Sequence, residues 1–258
     1  MGHWLFGKLP RTRRWREVID LMTSAPEETE ELARATVWAA NSKLQQLEND
    51  PSVGYCFWLL TRTMQAAREE DFPIALSRLG LEVSAETPTL AFISQLSDRA
   101  RRQLSDYPES GHFGEIAQLA LRRALTETIG QRRSLLGSSV EDLRAVLKIY
   151  STRTRFAGLA QLFFGDLLAR TMTGLLDREL ANCLHSTSER SALDRNEAVI
   201  GAIDLHARQT ALVMKEFAGD WYSKHNWESQ GQITRDETQR FVAHALDKLR
   251  GDLLTEAV

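Results

Sequence analysis

The chain has 258 residues, of which 43% are apolar and 26% charged, and its formal charge is −3. Those values describe a chain that buries a sizeable core, and they exclude disorder over most of its length. No stretch approaches the roughly 20 apolar residues that a membrane span needs, and the 2 cysteines, Cys56 and Cys183, are too few and too far apart for a disulfide framework or a zinc site.

The N-terminus places Trp4, Leu5 and Phe6 ahead of a basic run, Lys8, Arg11, Arg13, Arg14 and Arg16. It lacks the long apolar region of a secretory signal, and we expect a cytoplasmic protein. Three large apolar side chains near a terminus need a surface to cover, so Trp4 and Phe6 are expected to dock on the fold or on a partner. Trp15, Val18, Ile19 and Met22 then share one helical face. Ser24-Ala25-Pro26-Glu27 reads as a capping box that opens a helix ending near Glu48.

Asp71-Phe72-Pro73 and Thr87-Pro88 are further helix openings, and Gly80, Gly130 and Gly137 fall just beyond periodic segments as stop signals. Strand-like alternation is confined to GLEVS at 80–84, too short to build a sheet. The arginine doublets Arg101–Arg102, Arg122–Arg123 and Arg132–Arg133, with Arg13 and Arg14, form a candidate surface for nucleic acid or another anion, although solvated helix faces have the same pattern. With 26 arginines against 6 lysines, composition suits a GC-rich bacterial genome and favours bidentate contacts with carboxylate and phosphate.

All six prolines lie at or before Pro108. The sequence therefore divides at YPESGHFG, 107–114, into an N-terminal set of shorter helices (1–108) and a C-terminal set of long proline-free ones (109–258). No flexible linker separates them, so one continuous globular unit is expected. Ser138 to Glu141 and Thr234 to Glu237 repeat the capping-box spacing before apolar-periodic runs. The fold class that follows is all-α, a compact bundle of about nine to ten helices with the longer ones toward the C-terminus.

Within DLLARTMTGLLDRELANCLH, 166–185, Asp166, Arg170, Thr173 and Asp177 recur at helical spacing. Asp166 and Arg170 suit an intrahelical ion pair, and the line calls for partners from another helix, an anion or another protein. Arg178 and His185 are seven positions apart and lie within about 20° on one helical face. An Arg-x6-His helix resembles the signature of the HEPN ribonucleases, all-helical enzymes that cut RNA without a metal. The resemblance covers 178–185 alone and implies His185 as acid or base and Arg178 as phosphorane stabiliser, and Glu179 departs from the small polar residue the family places there.

Val199, Ile203, His206, Thr210, Val213 and Phe217 form one stripe, in which His206 reads as a buried, hydrogen-bonded core residue. DWYSKHNW, 220–227, gathers Trp221, Tyr222 and Trp227 around Lys224 and His225. Rings in that place either close the core or stay exposed as binding anchors. No phosphate loop, dinucleotide fingerprint, kinase signature or G-x-S-x-G elbow occurs, and no cofactor or metal is implied. The sequence is read first as a non-catalytic subunit or adaptor of a larger bacterial assembly with a protein partner, second as a metal-independent ribonuclease, third as a helical nucleic-acid binder.

Overall fold

The structure, a computed structural model, describes residues 13–24, 29–107, 110–130, 139–184 and 189–256, with side chains at all of these but 15, 19, 22–24, 29–30, 177–184, 189–196 and 256. Among the described residues eleven α-helices follow in order: α1 (Arg13–Ser24), α2 (Thr29–Glu48), α3 (Pro51–Ala66), α4 (Phe72–Ser77), α5 (Thr89–Leu104), α6 (His112–Thr128), α7 (Val140–Tyr150), α8 (Arg153–Leu184), α9 (Glu189–Thr210), α10 (Met214–Glu228) and α11 (Arg235–Glu256). A 3₁₀ turn, Ala211–Val213, joins α9 to α10 without a break, so the eleven make ten rods. Among the described residues there is no strand, and GLEVS is irregular chain. The long rods, α8 at 32 residues, α11 at 22 and the continuous α9–α10 rod, lie in the C-terminal part.

Local chemistry sets the helix ends. Asp50 accepts amide bonds from Ser52 and Val53 ahead of Pro51, and Asp71 accepts from Ile74 ahead of Pro73. In both places proline occupies the first turn, where no amide partner is lost. Thr234 and Glu237 form the capping box expected before α11: the Glu237 carboxylate takes the Thr234 amide at 2.8 Å and its hydroxyl at 2.7 Å. The box before α7 stands one residue later than expected, on Ser139 and Asp142 instead of Ser138 and Glu141. An acid at the third helical position reaches back to its cap, and Asp142 holds that position once the helix starts at Val140. Ser24 is the last residue of α1, and the proposed box at Ala25 to Glu27 lies outside the described residues.

Helices α3 and α8 run through the middle of the core. From Ser52 to Ala66, α3 is buried at every position but Trp58, which is partly buried and donates its indole N–H to the Ile233 carbonyl. A helix buried all round has neighbours on all sides. Phe57 marks where they meet: its ring lies 5.0 Å from Phe164, 5.4 Å from Phe163 and 5.9 Å from Phe156 on α8, 6.1 Å from Trp221 on α10 and 5.5 Å from Phe241 on α11. Gly219 lets α10 close on the start of α8, since a Cβ there would stand 3.2 Å from the Arg153 carbonyl oxygen. One cluster of buried side chains extends from Val18 in α1 to Leu253 in α11, drawing on both sides of the 107–114 boundary.

The polar line of α8 meets another helix. The Asp166 side chain is 2% exposed and accepts from Arg170 Nε at 2.5 Å and from Arg123 Nη1 of α6 at 2.6 Å. Arg123 also holds Glu127 at 2.7 Å and stands 3.9 Å from Asp204 of α9, which in turn holds Arg208 at 2.6 Å. Partial burial pushes the Asp204 carboxyl above its ordinary value, with Arg123 pulling against it. Three acids and three arginines thus tie α6, α8 and α9 together.

Candidate functional site

The C-terminal end of α10 presents the most exposed large apolar side chain among the described residues, Trp227 at 83%. The turn that carries it is held from below. Gln230 and Gly231 both take positive φ, 51° and 81°, which closes the helix through the Gly231 amide on the Asn226 carbonyl at 2.9 Å. Arg62 of α3, nearly buried, donates to the Gly231 carbonyl, to Gln232 Oε1 at 2.7 Å and to Gln65 Oε1 at 3.0 Å, and pairs with Glu69 at 3.5 Å. Burial pulls the Arg62 guanidinium below its ordinary value and Glu69 opposes that pull. Gln65 Nε2 completes the clamp on Asn226 Oδ1 at 2.9 Å.

Beside Trp227 lies a cleft of about 710 Å³, walled by Gln65, Arg68 and Glu69 of α3 and the segment after it, and by Asn226, Glu228 and the 230–231 turn. Arg68 is fixed there by Ser151, to whose Oγ it donates at 2.6 Å. Arg144 of α7 donates to the Ala67 and Glu69 carbonyls, holding the segment that follows α3. The indole therefore stands on a scaffold whose side chains are already committed to one arrangement, so little conformational freedom is lost when it is covered.

The other rings of DWYSKHNW have different fates. Of the two places open to Tyr222, core or exposed partner-binding anchor, the structure gives the core, which corrects its candidacy as a partner-binding residue: it is 1% exposed and stacks on Phe156 at 4.0 Å. Its position five residues before Trp227 turns it to the opposite side of α10, into the core. Its hydroxyl makes no hydrogen bond with any described residue, and burial pushes its pKa up while Arg68 and Arg62 partly counter. Trp221 is half-buried and stacks on Phe241 at 4.2 Å. Sequence reasoning missed Gln65, Arg68 and Glu69, because nothing in their own segment marks a surface 160 residues away.

The arginines of the candidate anion surface are scattered over different helices. Arg14 lies over the Trp38 ring at 4.8 Å and donates to its carbonyl at 3.2 Å, and Arg13 is exposed beside it on α1. Arg101 pairs with Asp98 at 2.8 Å and Arg102 is exposed at the end of α5. Arg122 is exposed on α6, whereas Arg123 is engaged by Asp166 and Glu127. Arg132 and Arg133 lie outside the described residues, as do Trp4, Phe6, His185 and the side chain of Arg178. No group of three or more His, Cys, Asp or Glu among the described residues is placed to hold a metal ion. No described helix is long and apolar enough to cross a membrane. Comparison with protein-family models, with characterised proteins and with solved structures finds no match for this chain.

Proposed function

We propose that this chain is a non-catalytic helical subunit or adaptor of a larger bacterial assembly, acting in the cytoplasm, and that the Trp227 end of α10 is its main protein contact. The observation that carries this is an indole 83% exposed on a turn immobilised by Arg62. Tryptophan is the commonest energetic anchor of protein interfaces, and anchors gain most when held in place before binding. The cleft beside it offers a guanidinium at Arg68, carboxylates at Glu69 and Glu228 and amides at Gln65 and Asn226. A partner meeting such a rim needs mixed polar groups around an apolar pocket for the ring.

The experiment is affinity purification of the full chain from native extract, followed by reconstitution with the recovered protein. Trp227→Ala should weaken that complex by about thirtyfold or more, the scale of a hot-spot truncation, and leave thermal stability unchanged. Equal affinity of the Trp227→Ala chain would overturn the assignment.

A further inference from the structure

A second cleft, of about 480 Å³, lies between α10 and α11 on the side of α10 away from Tyr222. Its volume falls in the range of small-molecule sites, roughly 300–1,000 Å³. The floor is aromatic: Phe241 stacks between Trp221 at 4.2 Å and Phe217 at 5.3 Å. His244 lies over the Phe217 edge at 5.1 Å and His225 over Trp221 at 5.4 Å, extending the apolar surface to both ends. Phe217 and Trp221 keep part of their surface open to the cleft.

The polar groups of the rim divide by whether they already have partners. Both acids do. Asp220 is held by Arg153 at 2.5 Å, and Glu237 is spent on the capping box, whose bonds from Thr234 hold its carboxyl below the ordinary range. His225 Nδ1 lies 3.0 Å from the Trp221 carbonyl, which only accepts, so that nitrogen donates. On the donor side, exposed Arg240 makes no hydrogen bond or ion pair with any described residue, and Lys224 reaches only Glu228 at 4.0 Å. What the cleft leaves over is therefore two loosely engaged cations, Arg240 and Lys224, with the imidazoles of His225 and His244 beside them, above a floor of rings.

We propose that the α10–α11 cleft binds a small amphipathic anion, a planar apolar body against the open surfaces of Phe217 and Trp221 with its carboxylate taken by Arg240 and Lys224. A planar guanidinium presents two parallel N–H groups to a carboxylate, which fixes the head. Stacking on rings that are already packed together fixes the body with no reordering of the floor. This site shares none of the residues that line the Trp227 cleft.

The test uses the folded full chain with 2-naphthoate as probe and the neutral 2-naphthamide as control, read by amide chemical shifts and calorimetry. Naphthoate should saturate, with shifts centred on Phe217, Trp221 and Phe241, and naphthamide should bind about tenfold more weakly, having lost the charge-assisted contact. Arg240→Glu should weaken naphthoate by at least that factor and leave naphthamide unchanged, and Phe217→Ala should weaken both. Arg240 makes no hydrogen bond with any described residue, but its charge helps hold the Glu237 carboxyl low, so Arg240→Gln, which adds no like charge beside the cap, is run as the variant whose melting temperature should stay in place. Equal affinity for the two probes, no saturation by either at millimolar concentration, or naphthoate binding that survives Arg240→Glu would overturn the proposal. A Phe-centred glutamate peptide that displaces naphthoate at far lower concentration would also overturn it, in favour of a protein segment.

Discussion

Removing the Asp166 carboxylate tests whether the α6–α8–α9 network holds the fold or waits for a ligand. The group is 2% exposed and accepts two arginine bonds, at 2.6 Å from Arg123 and 2.5 Å from Arg170. Hydrogen bonds to charged groups contribute roughly 1.5–3 kcal/mol each, which gives a gross loss near 3–6 kcal/mol in Asp166→Ala. Both guanidiniums are about a third exposed, at 34% and 37%, so water takes over part of their solvation once the acid is gone. Glu127 also remains beside Arg123. The net cost is then about 2–3 kcal/mol, or a melting temperature lower by roughly 5–10 °C in a chain of this size. Thermal and urea unfolding of Asp166→Ala, Arg170→Ala and the double variant give the coupling directly. A strong non-additive term is expected. A loss below about 0.5 kcal/mol, or strict additivity, would refute the structural role and leave Arg123, Arg170 and Arg208 available to an anion.

Phe57→Ala should cost about 3–5 kcal/mol, because five rings from three other helices lose their common neighbour; a two-state denaturation curve measures it. Gly219→Ala should destabilise by about 1–3 kcal/mol, since its methyl meets the Arg153 carbonyl and the Ala157 methyl at 3.2–3.3 Å, and an unchanged midpoint would show that the α8–α10 crossing gives way freely. Cys56 is fully buried and burial pushes its thiol pKa up, so it should resist a thiol reagent in the native chain and react on unfolding. The Glu237 carboxyl is held below its ordinary 4.5 by the Thr234 bonds. Its capping contribution is therefore fully present above that value and is lost as pH falls through the lower folded one. The stability gap between wild type and Glu237→Gln should shrink on acidification, and a gap constant with pH would contradict the cap.

The fold class was legible because proline, capping residues and 3.6-residue periodicity act locally: Asp71 and Thr234 open helices where their spacing places them, and Gly80 ends one. The box before α7 slipped by one residue because Ser138 and Ser139 are both competent caps and only the helix start chooses between them. Asp166 called for partners in the sequence, but Arg123 could be assigned only once α6 was laid on α8. The site is less legible than the fold for the same reason. Trp227 stands out in composition, yet its exposure and the burial of Tyr222 depend on which side of α10 faces α8, and the Arg62 clamp joins residues 169 positions apart. The α10–α11 cleft is likewise made by pairing Trp221 with Phe241 and setting Arg240 above them, a juxtaposition that no single segment contains.

The most direct measurement of the adaptor assignment is photo-crosslinking in living cells, with a benzophenone amino acid placed at position 227 and, as control, at Ile74, an apolar side chain 50% exposed on α4. The proposal expects one discrete protein adduct from position 227 and none from position 74. No adduct at 227, or the same ladder of adducts from both positions, would contradict it.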